Sequence, residues 1–162
     1  MGEPLMGPFG MLAAYFLTGI GGNLLSTAVH PGVVGGGPGI VGAGASGAVF
    51  GLAGVLIILL KSPTLPLPQI EVQRLRRSVI WFAVLNFVIG AGTWVARTSL
   101  QIDNMAHLGG FLSGLAFALP MVPRIGSRPD VFIRRRLIAV AGMSFLLLLA
   151  AFGIYSFYVG GR

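Results

Sequence analysis

Five long apolar stretches, separated by short connections, limit this chain more than any other feature. They run from about Met6 to Ala28, Ser46 to Leu60, Ser78 to Ala96, Met105 to Val122 and Leu137 to Tyr158. Crossing a bilayer takes roughly 20 predominantly apolar residues, and these stretches are of that order. Composition agrees: 55% of residues are hydrophobic, only 9% are charged, and the mean hydropathy is +0.89. A soluble domain carries about 25% charged residues. The expected fold class is all-α, a polytopic membrane helix bundle with about five transmembrane helices. It forms a single membrane domain over residues 1–162 rather than a string of domains.

The net charge of +7 invites a nucleic-acid reading, but its placement argues against one. Lys61, Arg74, Arg76 and Arg77 fall in one connection, and Arg124, Arg128, Arg134, Arg135 and Arg136 in another. Basic connections flanking apolar spans are what the positive-inside rule expects of cytoplasmic loops. The expectation is an integral, multi-pass protein of the cell membrane. Its partner is the lipid bilayer, not nucleic acid. The amino terminus is cytoplasmic and the carboxyl terminus external. The arginines at 134–136 read as a stop signal anchoring the last helix, with anionic lipid a weaker addition. No cysteine is present, which excludes disulfide and thiol chemistry. The two histidines and four acidic residues do not cluster with ligand spacing, so no metal or other cofactor is expected. The first span lacks the basic lead of a signal peptide, and Glu3 precedes it.

Between the first two spans, half of the residues from Gly32 to Gly47 are glycine. One reading is backbone that packs closely near a reactive site; the other is a flexible external loop. Val33, Val34, Ile40 and Val41 interleave with the glycines and favour a segment dipping toward the membrane, where surrounding protein must shield it. The proline-punctuated run Ser62-Pro63-Thr64-Leu65-Pro66-Leu67-Pro68 ends one helix and delays the next.

Two motifs carry the chemistry: Gly44-Ala45-Ser46-Gly47, and His107-Leu108-Gly109-Gly110 running on to Ser113-Gly114. Ser46 lies 15 residues before Lys61, and His107 lies 17 before Arg124. At 1.5 Å per residue these separations are about 23 and 26 Å, against a hydrocarbon core of roughly 30 Å. Both side chains therefore sit below the outer surface at similar depth, on helices that run in the same direction. Gly47 and Gly51 lie four apart on one helix, as do Gly110 and Gly114 on the other. Small residues at that spacing let helices approach closely in lipid. His107, Gly110 and Gly114 share one face. A serine alone fits a helix cap. An intramembrane histidine alone is a functional candidate, or a hydrogen-bonded structural group. Together, at matched depth on packable faces, they read as a nucleophile and its base.

These residues resemble the rhomboid family of intramembrane serine proteases. The serine motif is similar to the family's Gly-x-Ser-Gly, and Ala106-His107 through Gly114 is similar to its Ala-His-x-x-Gly-x-x-x-Gly. The lead-in Ile102-Asp103-Asn104-Met105 and the segment from Tyr15 to Ser26 look like the family too. The resemblance covers about residues 3–122. The helix at about 137–158 is similar to an extra one that some members carry. It implies a Ser46–His107 dyad that cleaves peptide bonds in or near transmembrane segments of membrane proteins. Gly44, Gly47 and Phe50 would support the oxyanion site and the histidine. At the place of Phe50 the family often has an aromatic ring stacked on the histidine; the alternative is ordinary packing. Asp103 invites a third catalytic role, with a helix cap or loop residue as the plainer reading. Asn86 reads as a packing polar group, Trp94 as an interfacial anchor and His30 as an outer-surface residue.

The chain departs from the family at its start, which resembles the turn after the second of six core helices. No His-x-x-x-Asn pair, the family's usual completion of the oxyanion hole, occurs in the sequence. One lost oxyanion donor costs about 10²–10³ in rate. The resemblance therefore implies an amino-terminally truncated chain: a fragment, the product of a misplaced start codon, or one half of a split protein partnered by a separate amino-terminal fragment. The competing classes are a non-catalytic protein that binds membrane clients and an inactive protease fragment. An ion channel or transporter is disfavoured because no acidic or basic residue falls inside the expected spans.

Overall fold

The computed structural model describes residues 2–30, 45–61, 68–96, 102–121 and 129–160. Among these residues the chain is helical: α1 (Gly2–Val29), α2 (Ser46–Leu59), α3 (Gln69–Val95), α4 (Asn104–Ala118) and α5 (Pro129–Tyr158). A short 3-10 turn, Leu119–Met121, continues α4. Among the described residues three segments are long and apolar enough to cross a membrane: Met6–Val29, Gln69–Thr93 and Asp130–Tyr158. The apolar helix Ser46–Leu59 is shorter. At 1.5 Å per residue α2 extends only about 21 Å, less than the bilayer's hydrocarbon thickness.

The short helices are the inner ones. α2 buries most of its surface, including Gly47, Ala48, Phe50, Gly51, Val55 and Leu59, and leaves Val49 exposed. A helix buried over most of its surface belongs to the interior. It packs most extensively against α4, and α1 closes over both. The apolar core lies at the carboxyl-terminal ends of α2 and α4, where Leu59, Phe117 and Met121 meet Met6 and Ala14 of α1. Ser46 and His107 occupy the opposite end of the same two helices.

α1 is bent near its start. Gly7 has φ +73°, outside the helical region, and Pro8 follows it. A residue before proline is driven from the helical region, and glycine takes the left-handed alternative without a Cβ clash. α5 lies along α1 and is tied to it near both ends. Arg136 Nη1 donates to the Met6 carbonyl at 3.0 Å, and the Tyr158 hydroxyl donates to the Ala28 carbonyl at 2.8 Å. The two helices therefore run parallel. α3 packs mainly against α2 and α4 and leaves Trp81, Leu85 and Val88 exposed, a face suited to lipid.

Two helices begin about two turns before the apolar pattern indicates. α3 starts at Gln69, not Ser78, so Arg74, Arg76 and Arg77 lie on the helix rather than in a loop. The backbone N–H groups of Glu71 and Val72 donate to the Pro68 carbonyl, which opens the helix. α5 starts at Pro129, not Leu137, so Arg134, Arg135 and Arg136 are helical too. Gln, Glu and Arg are good helix formers, and a helix need not stop where hydrocarbon does. Proline is favoured in the first helical turn, and Asp130 there complements the helix dipole. Arg135 Nη1 also donates to the Pro120 carbonyl at 3.0 Å, so this arginine run holds the end of α4 as well.

Candidate active site

The glycines decide how near the two inner helices come. A Cβ placed on Gly110 would lie 2.0 Å from the Gly47 carbonyl oxygen, and one on Gly114 would lie 2.0 Å from that of Gly51. Such distances admit only hydrogen on the α-carbon. Backbone meets backbone along α2 and α4, and Gly54 against the Phe111 carbonyl extends the seam. α1 joins at the same level, where a Cβ on Gly22 would lie 2.6 Å from the Ala106 carbonyl oxygen. Thr18 of α1, fully buried, donates back to the Ala14 carbonyl at 2.7 Å and lodges against Gly51.

This seam brings the amino-terminal ends of α2 and α4 together, with Ser46 on one and His107 on the other. Ser46 is the first residue of α2 and is exposed. Its N-cap residue, Ala45, makes no side-chain capping bond. The first N–H groups of a helix have no partner within it, so those of α2 are available to an acceptor. His107 lies in the first turn of α4 and is only 4% exposed. Among the described residues no hydrogen bond joins Ser46 to His107, and His107 Nδ1 is buried without a partner.

Aromatic rings hold the imidazole. Phe50, one turn below Ser46, stacks on it with ring centroids 4.1 Å apart and planes 11° from parallel. Phe87 of α3 meets the imidazole edge-on at 6.1 Å and 88°. Phe87 and Phe82 also pack on Phe50, at 5.2 and 5.7 Å. Sequence reasoning singled out Phe50 but missed Phe82 and Phe87, which show no local pattern beyond their place in an apolar helix.

Asp103 is the N-cap of α4, its Oδ1 accepting from the Ala106 N–H at 2.9 Å. Its Oδ2 accepts from the Ser26 hydroxyl of α1. Both carboxylate oxygens are engaged away from His107 Nδ1, so Asp103 does not orient the imidazole as the third member of a triad would. Asn86 is half-buried and donates to the Phe82 carbonyl at 2.8 Å. His30, exposed at the end of α1, donates its backbone N–H to the Ser26 carbonyl. Gly44 and the Gly32–Ala43 stretch lie outside the described residues, as does the side chain of Trp94. Beside Ser46 a shallow groove of about 210 Å³ opens between α1 and α2, lined by Tyr15, Gly19, Asn23, Gly47 and Ala48.

A family model described as a rhomboid domain matches residues 1–124. The chain belongs to the rhomboid family. With its three long apolar helices, this rhomboid chain is an integral membrane protein. It is 33% identical over 135 residues to the chloroplastic rhomboid-like protein 11 of Arabidopsis thaliana, covering 77% of this chain and 44% of that protein. It is 34% identical over 152 residues to the inactive rhomboid protein 2 of Homo sapiens, covering 92% of this chain and 16% of the relative. It is 32% identical over 124 residues to the rhomboid-like protease 5 of Toxoplasma gondii, covering 74% and 13%. The rhomboid chain thus spans less than half the length of these curated relatives. No solved structure matches it.

Proposed function

We propose that this chain carries the dyad of an intramembrane serine endopeptidase, with Ser46 as nucleophile and His107 as general base. The observation that carries the reading is the imidazole stacked on Phe50, buried beside the first turn of α2. Rotation of the exposed Ser46 side chain brings its Oγ toward the imidazole Nε2. His107 takes the hydroxyl proton as Oγ attacks a carbonyl in an unwound stretch of a transmembrane substrate. The oxyanion that forms meets the unpaired N–H groups at the start of α2, where the helix dipole also favours negative charge. His107 then protonates the leaving amine, and water attacks the acyl-serine with the same imidazole as base. No cofactor enters these steps.

Ser46 is exposed, and the groove beside it is open. A site that excludes bulk water needs more cover, and so does the oxyanion. In this reading further helices supply both, and a separate amino-terminal fragment is one source. The basic ends of α3 and α5 face the cytoplasm, which puts the amino terminus inside and Ser46 near the outer face. The cell membrane is the proposed location.

A second reading, a non-catalytic protein that binds membrane clients, is favoured by two observations. One relative, aligned over 92% of this chain, is named as inactive, and no Ser46–His107 hydrogen bond is formed. A transmembrane reporter expressed with the chain in membranes tests between them, with Ser46→Ala and His107→Ala as controls. Cleavage lost in both variants supports the protease. Cleavage that appears only when amino-terminal helices are supplied supports a dyad that needs their cover. Reporter retention without cleavage in either setting supports the binding protein.

A further inference from the structure

His107 stands in the first turn of α4, where a helix is least secure, since the first turn frays most readily. A base that must meet Ser46 within hydrogen-bonding reach tolerates little motion there. Three contacts converge on the residue that begins this turn. Asp103 Oδ1 accepts from the Ala106 N–H at 2.9 Å, and the Asp103 carbonyl accepts from the His107 N–H itself at 3.2 Å. Asp103 Oδ2 accepts from the hydroxyl of Ser26, in the last turn of α1, 77 residues away in sequence. One carboxylate thus closes the turn that holds the imidazole and anchors that turn to a second helix.

The backbone around it leaves the anchor little slack. One turn below Ser26, a Cβ on Gly22 would lie 2.6 Å from the Ala106 carbonyl oxygen, and one on Gly109 would lie 2.7 Å from that of Gly21. α1 and α4 are therefore in backbone contact beside His107, and the Ser26–Asp103 bond fixes how far α4 slides or turns along that contact. Among the described residues the start of α2 has no such device, since Ala45 makes no side-chain capping bond. Among the described residues, the histidine alone of the two proposed dyad residues has a side-chain lock on its own helix end.

We infer that Ser26 and Asp103 are positioning residues for His107, acting as an interhelical lock that holds the imidazole in register with Phe50 and Ser46. The catalytic side of this inference rests on the proposed role of His107 as general base. The structural side, the placement of the ring, does not.

Four variants test it in the full chain: Ser26→Ala, Asp103→Ala, Asp103→Asn and the Ser26→Ala/Asp103→Ala double. Two readouts are taken on each. The first is reporter cleavage under the conditions in which the unmodified chain is active. The second needs no activity: the upfield ring-current shift that Phe50 imposes on the His107 imidazole protons. The chain has two histidines, and His30→Gln separates their signals. Both alanine variants should lower kcat by about tenfold or more with KM nearly unchanged, because a misplaced base of about 1 Å is costly. The ring-current shift should shrink in the same variants. Asp103→Asn should keep both readouts near the unmodified level, since Asn caps as well as Asp. The double variant should be no worse than Asp103→Ala, because both changes break one lock.

Alanine variants that unfold more easily yet keep the ring-current shift and kcat would overturn the inference, leaving a purely structural bond. So would an Asp103→Asn variant as slow as Asp103→Ala with the shift intact, since the charge and not the position would then matter. If the unmodified chain cleaves nothing with or without added helices, the protease reading fails, and the ring-current comparison still decides the lock.

Discussion

Gly114→Ala should weaken this protein far more than an added methyl group ordinarily does. The new Cβ would stand 2.0 Å from the carbonyl oxygen of Gly51, 2.7 Å from its carbonyl carbon and 3.0 Å from its α-carbon. Carbon atoms pack at about 3.5–4.0 Å, so α2 and α4 must part by something over 1 Å at this point. No rotamer change can help, because every atom in the way is backbone. α2 cannot simply retreat either, since Thr18 of α1 presses on the other side of Gly51, where a Cβ would lie 1.9 Å from its Oγ1. Overpacking a tight core costs about 1–3 kcal/mol, and a rigid site belongs at the upper end. Against this stands about 1 kcal/mol gained when alanine replaces glycine inside a helix. The expected net loss is about 2 kcal/mol. Gly142→Ala on α5 is the control, because nothing lies within 4 Å of a Cβ there. It should be neutral or stabilise by up to about 1 kcal/mol. Reversible unfolding in mixed micelles, read by tryptophan fluorescence or circular dichroism, measures both. If the two variants differ by less than about 0.5 kcal/mol, the backbone seam described between α2 and α4 is wrong.

Phe50→Leu removes the ring under His107 and should cut reporter cleavage by about tenfold, whereas Phe50→Tyr should keep most of it; a steady-state assay in membranes separates them. Tyr158→Phe deletes one hydrogen bond between α5 and α1 and should cost about 0.5–1.5 kcal/mol in unfolding while leaving kcat unchanged. Gly90→Ala would put a Cβ 2.0 Å from Asn104 Oδ1, whereas Gly92 has open space around it. The first should therefore destabilise by about 1–3 kcal/mol and the second should not, in the same unfolding assay.

The apolar runs made the helices legible, because spans that must live in lipid leave little choice of residue. α2 ends within one residue of its expected limit, Leu59 against Leu60. The starts of α3 and α5 were not legible from hydropathy. α3 continues past the apolar limit on Gln, Glu and Arg, and α5 on Asp130 in its first turn and a run of Arg, residues that suit a helix without favouring lipid. The seam between α2 and α4 could be anticipated, since the four-residue spacing of Gly47 with Gly51 and of Gly110 with Gly114 records it locally. The same holds for Phe50, one helical turn from Ser46. The rest of the site is tertiary. Phe87 reaches His107 only because α3 packs there. Ser26 meets Asp103 only because two helices end at the same height. No spacing within one segment announces either contact. Thr18 against Gly51 is a further case: a polar residue in an apolar helix is visible, but the glycine that receives it is not.

The two ties between α1 and α5 act as a gauge of the bilayer. Met6 and Ala28 stand about 33 Å apart along α1 at 1.5 Å per residue, and Arg136 and Tyr158 match them at the same offset of 130 residues. That span is close to the roughly 30 Å of hydrocarbon it must cross. A change of slope in one helix alone would strain both bonds, each worth about 0.5–1.5 kcal/mol. Ser26 lies on α1, in the last turn before Ala28, and it grips the start of α4 through Asp103. The turn that carries His107 is thus tied by side-chain bonds to the same helix pair that must span the hydrocarbon.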